Sequence, residues 1–166
     1  VRTLDHFREL LRNGADKVAI NTAACKDPAI ISRSAEKFGR QAVTVAIDVK
    51  DNEVFTHCGT QATGWRPVEW AQECERRGAG EILLTSVSRD GTLAGYDTGL
   101  IRSVAEAVSV PVVAAGGAGT YQHLKEGLDA GAHAVAAGAM FQFTDATPRG
   151  AAQYLARHGR HTRLAA

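Results

Sequence analysis

The stretch Ala42-Val43-Thr44-Val45-Ala46-Ile47-Asp48 is apolar at almost every position and ends on a carboxylate. A strand that is apolar along its whole length is buried on both faces, which is typical of a parallel sheet covered by helices. Four other short segments have the same character, at residues 17–22, 81–86, 110–115 and 134–138. Because apolar residues recur at helical spacing between these segments, the sequence predicts an α/β fold with five main parallel strands.

Three shorter patterns refine this prediction. Residues 54–56 predict a short extra strand, and residues 59–64, with glycine at both ends, predict a mobile polar loop. Asp27-Pro28 predicts the start of a helix, with Asp27 as the N-cap and proline at the first helical position.

Two architectures combine parallel strands with covering helices: a doubly wound open sheet and a (βα)8 barrel of the TIM type. A complete barrel takes about 250 residues, or about 31 for each βα unit. The 166 residues of this chain correspond to about 5.3 such units, which matches five strands. A barrel of this length is incomplete, and we expect residues 1–166 to form one partial barrel domain.

The composition excludes several classes of protein. The chain carries 19 basic and 18 acidic side chains, a balance that argues against a dedicated binder of nucleic acid or of a membrane surface. No apolar run approaches the roughly 18 residues that span a bilayer. The three cysteines are an odd number without C-x-x-C spacing, so we expect reduced thiols in a cytoplasmic protein, with neither a disulfide nor a metal site.

Polar or glycine residues follow every predicted parallel strand. In both candidate architectures, ligands bind at the carboxyl ends of the strands. The residues at these ends are Asn21-Thr22, Asp48, Thr85-Ser86, Gly116-Gly117 and Gly138. Each has an ordinary structural explanation when taken alone, but their occurrence on all five strands predicts a binding site at this edge of the sheet.

The glycine-rich turns predict phosphate binding. Asp90-Gly91, Gly116-Gly117 and Gly138-Ala139 can each present backbone N–H groups near the start of a helix, where an anion is favoured. The segment Gly116-Gly117-Ala118-Gly119 is not a G-x-G-x-x-G fingerprint and has no acidic residue about 20 positions later. We therefore expect no nicotinamide or other cofactor.

Asp48 is the best catalytic candidate. It ends the most apolar strand, where partial desolvation would raise the pKa of its carboxyl into a range useful for proton transfer. The alternative is a structural aspartate that caps the next loop or pairs with Lys50. The histidines lack metal-ligand spacing, and His57, His123 and His133 are expected at the surface or at strand edges.

Several segments, taken together and in order, resemble the cyclase subunit of imidazole glycerol phosphate synthase (HisF), over its C-terminal two-thirds. These segments are residues 16–24, 45–48, 78–86, 89–92, 95–97 and 116–119. The resemblance implies a (βα)8 barrel of histidine biosynthesis. In that family, ammonia from a partner glutaminase reacts with a bis-phosphorylated ribulosyl formimino carboxamide nucleotide (PRFAR), giving imidazole glycerol phosphate and an aminoimidazole carboxamide ribotide.

The resemblance also implies roles for residues at the carboxyl ends of the strands. Asp48 matches the family's catalytic aspartate on the fifth strand, a general acid and base in ring closure, and Thr85 matches a residue near the reacting centre. Asn21 and Thr22 match one phosphate site. The other phosphate site is matched by Asp90, Gly91, Gly117 and Gly138.

At the opposite end of the strands, the resemblance implies a route for ammonia. Lys17 and Glu81 match members of a charged gate through which ammonia enters the barrel. Asp16 matches part of the surface on which the glutaminase docks.

The chain departs from the family pattern in several places. It has no counterpart of the second catalytic aspartate, on the first strand, and the first two strands and most of the third are absent. Ser88 stands where the family usually has aspartate, and Ala115 and Ala139 stand where serines often hold phosphate.

Five strands cannot close a barrel, so we expect either a missing amino-terminal part or self-association of copies through the open sheet edges. The sequence leaves three alternatives to a cyclase open. They are a self-associating, phosphate-binding partial barrel without turnover, the sibling aminoimidazole carboxamide ribotide isomerase, and a paralogue that supplies ammonia to surface-sugar pathways.

Overall fold

A computed structural model of the chain describes residues 1–162. The strands are β1 (Val18–Ile20), β2 (Val43–Lys50), β3 (Glu53–Thr56), β4 (Gln61–Ala62), β5 (Glu81–Ser86), β6 (Val112–Ala115) and β7 (Ala134–Val135). The α-helices are α1 (Leu4–Arg12), α2 (Thr22–Lys26), α3 (Ala29–Phe38), α4 (Pro67–Arg76), α5 (Thr98–Ala105), α6 (Tyr121–Asp129), α7 (Ala139–Phe143) and α8 (Pro148–Arg157). The expected α/β fold is confirmed.

The strands form one mostly parallel sheet. Its parallel strands lie in the order β1-β2-β5-β6-β7, with Asp48 beside Thr85 and Thr85 beside Ala115. One edge of β2 has two partners. Its first half pairs with β1, and its second half pairs antiparallel with β3 of the hairpin β3–β4. The five predicted parallel strands are therefore present, and within residues 1–162 the outer strands β1 and β7 each pair along one side only.

Three local predictions need correction. The last strand covers only Ala134–Val135 rather than residues 134–138, and the expected loop at 59–64 contains β4. The helix α3 begins one residue later than expected, at Ala29 with Pro28 as its N-cap, and the Asp27 carboxylate is 2.5 Å from Arg33 in an ion pair.

The two faces of the sheet differ in burial. On the outer face, Val45, Ile47 and Leu84 are buried, because α3 and α4 pack on β2 and α5 and α6 cover β6 and β7. The alternate residues point to the other face, which we call the inner face. Partly or fully exposed positions on this inner face include Ala19, Ala46, Asp48, Leu83, Thr85, Val113 and Ala134.

The apolar core lies between the sheet and the helices. Trp70 of α4 is fully buried, and the rings of Phe7 and Phe38 stack with their centroids 6.0 Å apart. These contacts fasten α1, α3 and α4 to one face of the sheet, so that the carboxyl ends of the strands are held in fixed positions. No helix in the described part of the chain is long and apolar enough to cross a membrane.

Candidate functional site

Asp48 lies where the carboxyl ends of the strands meet. Its partner on β5 in the strand register is Thr85, and on the hairpin strand β3 it is Phe55. Asn21 follows β1 directly, and its Nδ2 donates to the carbonyl oxygen of Phe55 at 3.3 Å. The structure therefore brings together three of the residues that the sequence selected, Asn21, Asp48 and Thr85.

The environment of Asp48 favours the protonated carboxyl. Its pKa is raised mainly because burial disfavours the charged form, and the negative charge of Asp90 adds to the rise. The neighbouring side-chain amide of Asn21 favours the carboxylate and works in the opposite direction. A carboxyl with a raised pKa at a strand end can exchange a proton with a ligand closer to neutral pH than an ordinary aspartate.

Asn21 has unused capacity to accept a hydrogen bond. Its Oδ1 is buried and has no hydrogen-bond partner among the described residues. The adjacent Thr22 accepts at Oγ1 from the backbone amide of His57, at 3.2 Å. Because buried polar atoms are usually satisfied, an unpartnered Oδ1 beside Asp48 indicates a position where a ligand donor would be favoured.

A cleft of about 570 Å³ opens at the end of β1. Asn21 and Thr22 line it together with three basic side chains, those of Arg2, Lys26 and His57. The prediction of a surface location for His57 is correct as to exposure, but the sequence did not indicate that its loop folds over the start of α2. Arg2 and Lys26 carry positive charge beside Asn21 and Thr22, and the carboxylate of Asp27, which also lines the cleft, is paired with Arg33. These charges make the cleft suitable for an anion.

The second part of the site is built from the loops after β5 and β6. Gly116 has φ +85°, and a Cβ at this position would lie 2.6 Å from the carbonyl oxygen of Ser86. That same oxygen accepts from the amides of Arg89, at 3.2 Å, and Asp90, at 3.0 Å, and so forms the turn that leads to Gly91. Only glycine allows the two loops to approach this closely.

Several backbone amides in this region have no acceptor within the described part of the protein. Among residues 1–162, the amide groups of Gly91, Gly117 and Gly138 donate to no protein acceptor. Gly117 and Gly138 follow the neighbouring strands β6 and β7, and Ala139 begins α7 after Gly138. Free N–H groups at adjacent strand ends can hold a phosphate, and we call the loops at residues 89–91, 116–119 and 138–139 the glycine cradle.

Lys17 and Glu81 lie at the opposite, amino-terminal end of the strands. They form an ion pair, and Glu81 Oε1 also accepts from the Thr44 hydroxyl at 3.0 Å. The side chain of Lys17 is 47% exposed and that of Glu81 17% exposed, so the pair borders solvent at the rim of the inner face. Asp16 is exposed immediately before Lys17.

The site contains no assembled metal ligands. In the part of the chain that the structure describes, no group of three or more His, Cys, Asp or Glu side chains converges to hold a metal ion. Cys25 lies near Asp48, but burial raises the pKa of its thiol to about 11, and the charge of Asp48 adds to the effect. A thiol in this state is a poor nucleophile near neutral pH.

Comparison with known proteins identifies the family. The model of the family described as "Histidine biosynthesis protein" matches residues 1–147. The chain belongs to this family. It is 48% identical over 169 residues to the imidazole glycerol phosphate synthase subunit HisF of Chlorobium limicola (strain DSM 245 / NBRC 103803 / 6330), covering 99% of this chain and 67% of that relative. The expected HisF-like character is thereby confirmed.

The region matched by the histidine biosynthesis family contains the whole candidate site. The cleft at the end of β1, Asp48 and the glycine cradle all lie within residues 1–139. The ion pair of Lys17 and Glu81 lies within the same limits. The segment that carries α8 extends beyond the matched residues and contributes none of the predicted site residues.

Proposed function

We propose that the chain carries the greater part of the active site of a HisF-type cyclase, which converts PRFAR and ammonia to imidazole glycerol phosphate and aminoimidazole carboxamide ribotide. The observation that carries this proposal is the position of Asp48 between two anion sites. The strand that bears it, β2, lies between β1, with its basic cleft, and the neighbours β6 and β7, with the glycine cradle.

The spacing of the two anion sites fits a ligand with a phosphate at each end. Three to four strand intervals separate β1 from β6 and β7, and at about 4.8 Å for each interval this is about 14–19 Å along the sheet. In the proposed complex, Asn21, Thr22 and the basic side chains of the cleft hold one phosphate, and the amides of the glycine cradle hold the other. The reacting centre then lies over Asp48 and Thr85.

In this function Asp48 transfers protons during ring closure. Its raised pKa lets the carboxyl hold a proton at higher pH than an ordinary aspartate, so it can act both as donor and as acceptor. The free Oδ1 of Asn21 supports a second contact with the ligand beside the carboxyl. The pair of Lys17 and Glu81 supports a polar entrance for ammonia at the opposite end, with Asp16 on the docking surface of a glutaminase.

We also propose that the sheet is part of an eight-stranded barrel, closed by strands additional to those described here. The one-sided pairing of β1 and β7 and the exposure of Ala19 and Ala134 on the inner face support this. The closing strands come from a longer chain or from a second copy. Light scattering on the 166-residue chain distinguishes these, since a folded monomer at all concentrations would contradict closure by a second copy.

The test of catalysis is turnover of PRFAR with ammonium salt by the chain and by its Asp48→Asn variant. Asp51→Asn is the matched control, because Asp51 is an exposed residue of the β2–β3 turn with φ +51° that asparagine also tolerates. We expect turnover to be lost in Asp48→Asn and kept in Asp51→Asn. Equal turnover by both variants would contradict the role of Asp48.

Binding separates the cyclase from a phosphate-binding protein without turnover. Calorimetric titration with PRFAR is expected to give similar affinity for the chain and for Asp48→Asn, because the phosphates are held by the cleft and the glycine cradle. Binding without turnover by the parent chain would favour the non-catalytic alternative. Absence of binding would contradict both.

A further inference from the structure

His123 contacts the loop at residues 116–119 of the glycine cradle and, at Gly95, the continuation of the loop that follows β5. It lies in the first turn of α6, where its backbone amide donates to Oγ1 of the N-cap Thr120 at 3.3 Å. Its ring turns back from the helix, and Nδ1 accepts from the amide of Gly119 at 3.1 Å. The same ring packs on the loop that follows β5, where a Cβ on Gly95 would lie 3.4 Å from His123 Cδ2.

The loops that His123 touches are also joined through their backbones. Gly95 donates its amide to the carbonyl oxygen of Gly117 at 2.8 Å, and the guanidinium of Arg89 donates to the carbonyl oxygen of Gly95 at 3.3 Å. Gly95 and Gly117 both have positive φ, +94° and +109°, so neither loop is held by ordinary backbone preferences. These hydrogen bonds and the imidazole hold the two loops together, along with the close approach of Gly119 to Leu93.

The hydrogen bond to Nδ1 of His123 bears on which backbone amides of this loop remain free. It satisfies the Gly119 N–H inside the loop, while the amide of Gly117 two residues earlier stays free. An acceptor at Nδ1 also places the proton of a neutral imidazole on Nε2. A side chain of similar bulk without an acceptor would fill the same space but leave the Gly119 amide without its partner.

We propose that His123 is a positioning residue of the glycine cradle, which holds the loops at residues 89–95 and 116–119 in the arrangement that binds phosphate. This inference rests on the proposed function, because it assigns the cradle to a phosphate. His123 itself does not contact the ligand in this arrangement. It acts through Gly119 and Gly95.

The test compares two substitutions that separate the acceptor from the ring. His123→Asn keeps an acceptor on Cγ, since Asn Oδ1 and His Nδ1 are both bonded to that atom, whereas His123→Phe keeps a ring without an acceptor. The measurements are the affinity for inorganic phosphate and the hydrogen-exchange protection of the Gly119 amide by NMR. We expect about tenfold weaker phosphate binding and lost protection in His123→Phe, with both largely kept in His123→Asn.

Thermal melting shows whether each variant folds. If His123→Phe does not fold, His123→Leu takes its place as the variant without an acceptor. Equal phosphate affinity in the parent and the acceptor-free variant would overturn the inference, as would equal losses in the asparagine and acceptor-free variants. If the parent chain binds neither phosphate nor PRFAR, the proposed function fails and the inference with it. If the parent binds phosphate and the acceptor-free variant binds it equally well, the inference about His123 is refuted but the proposed function is not.

Discussion

Replacing Gly116 by alanine tests whether the loops after β5 and β6 form one unit. The new methyl group would lie 2.6 Å from the carbonyl oxygen of Ser86, and ordinary contact begins near 3.4 Å, so that oxygen must move by about 0.8 Å. Because it accepts the amides of Arg89 and Asp90, the movement weakens two hydrogen bonds of about 1 kcal/mol each. The positive φ adds about 1 kcal/mol, for a total near 3 kcal/mol.

Gly91→Ala is the matched control. Gly91 also has a positive φ, +76°, but no atom lies within 4 Å of its hypothetical Cβ, so only the strain of about 1 kcal/mol applies. At about 3 °C per kcal/mol for a chain of this size, scanning calorimetry is expected to give a loss in Tm of about 9 °C for Gly116→Ala and about 3 °C for the control. Equal losses in the two variants would refute the argument from close approach.

Three further predictions concern single side chains. Burial raises the pKa of Asp48 in the fold, so the folded state binds more protons than the unfolded state just above the usual value of 3.8, and stability falls as pH rises through that window. Asp48→Asn should therefore melt higher than the parent at pH 7, with the advantage vanishing below pH 3.8; no difference at pH 7 would contradict this. Urea unfolding should show a loss of about 3–5 kcal/mol for Trp70→Ala, because the fully buried indole leaves a cavity in the core. Phe143→Ala, at a side chain that is 75% exposed, should lose only about 1 kcal/mol, and similar losses in the two variants would refute the burial argument. Iodoacetamide at pH 8 should modify exposed Cys58 well before Cys25, whose pKa of about 11 leaves about one thiol in a thousand ionised, as peptide mass spectrometry can check; the reverse order would disprove it.

The sequence was sufficient to predict the five parallel strands and the polar residues that follow them, but not β4. Apolar runs such as residues 42–47, separated by segments with helical periodicity, indicate a sheet covered by helices, and parallel strands bring their carboxyl ends to one edge. The grouping of Asn21, Asp48 and Thr85 follows from that geometry alone. The shortness of β7 did not follow, because Ala136 and Ala137 continue the apolar run of Ala134 and Val135.

The remaining parts of the site depend on loops whose paths the sequence pattern does not determine. His57 reaches the cleft because its backbone amide binds Thr22, a residue far away in the chain. His123 reaches the glycine cradle because Thr120 starts a helix just before it and the ring folds back on Gly119. Neither contact follows from a periodic pattern in the sequence, so the spacing of residues predicted only a location at the surface or at a strand edge for both histidines.

Buried and partly exposed residues alternate along β2, so neighbouring positions on one strand are under different constraints. Ile47 and Val49 are buried against the helices, whereas Asp48 between them points to the inner face, where we propose that the ligand binds. Changes at the first two positions are limited by volume, and changes at the third by chemistry. A strand built in this way lets an active site acquire new reactivity by single substitutions while the hydrophobic contacts that keep the protein folded stay untouched.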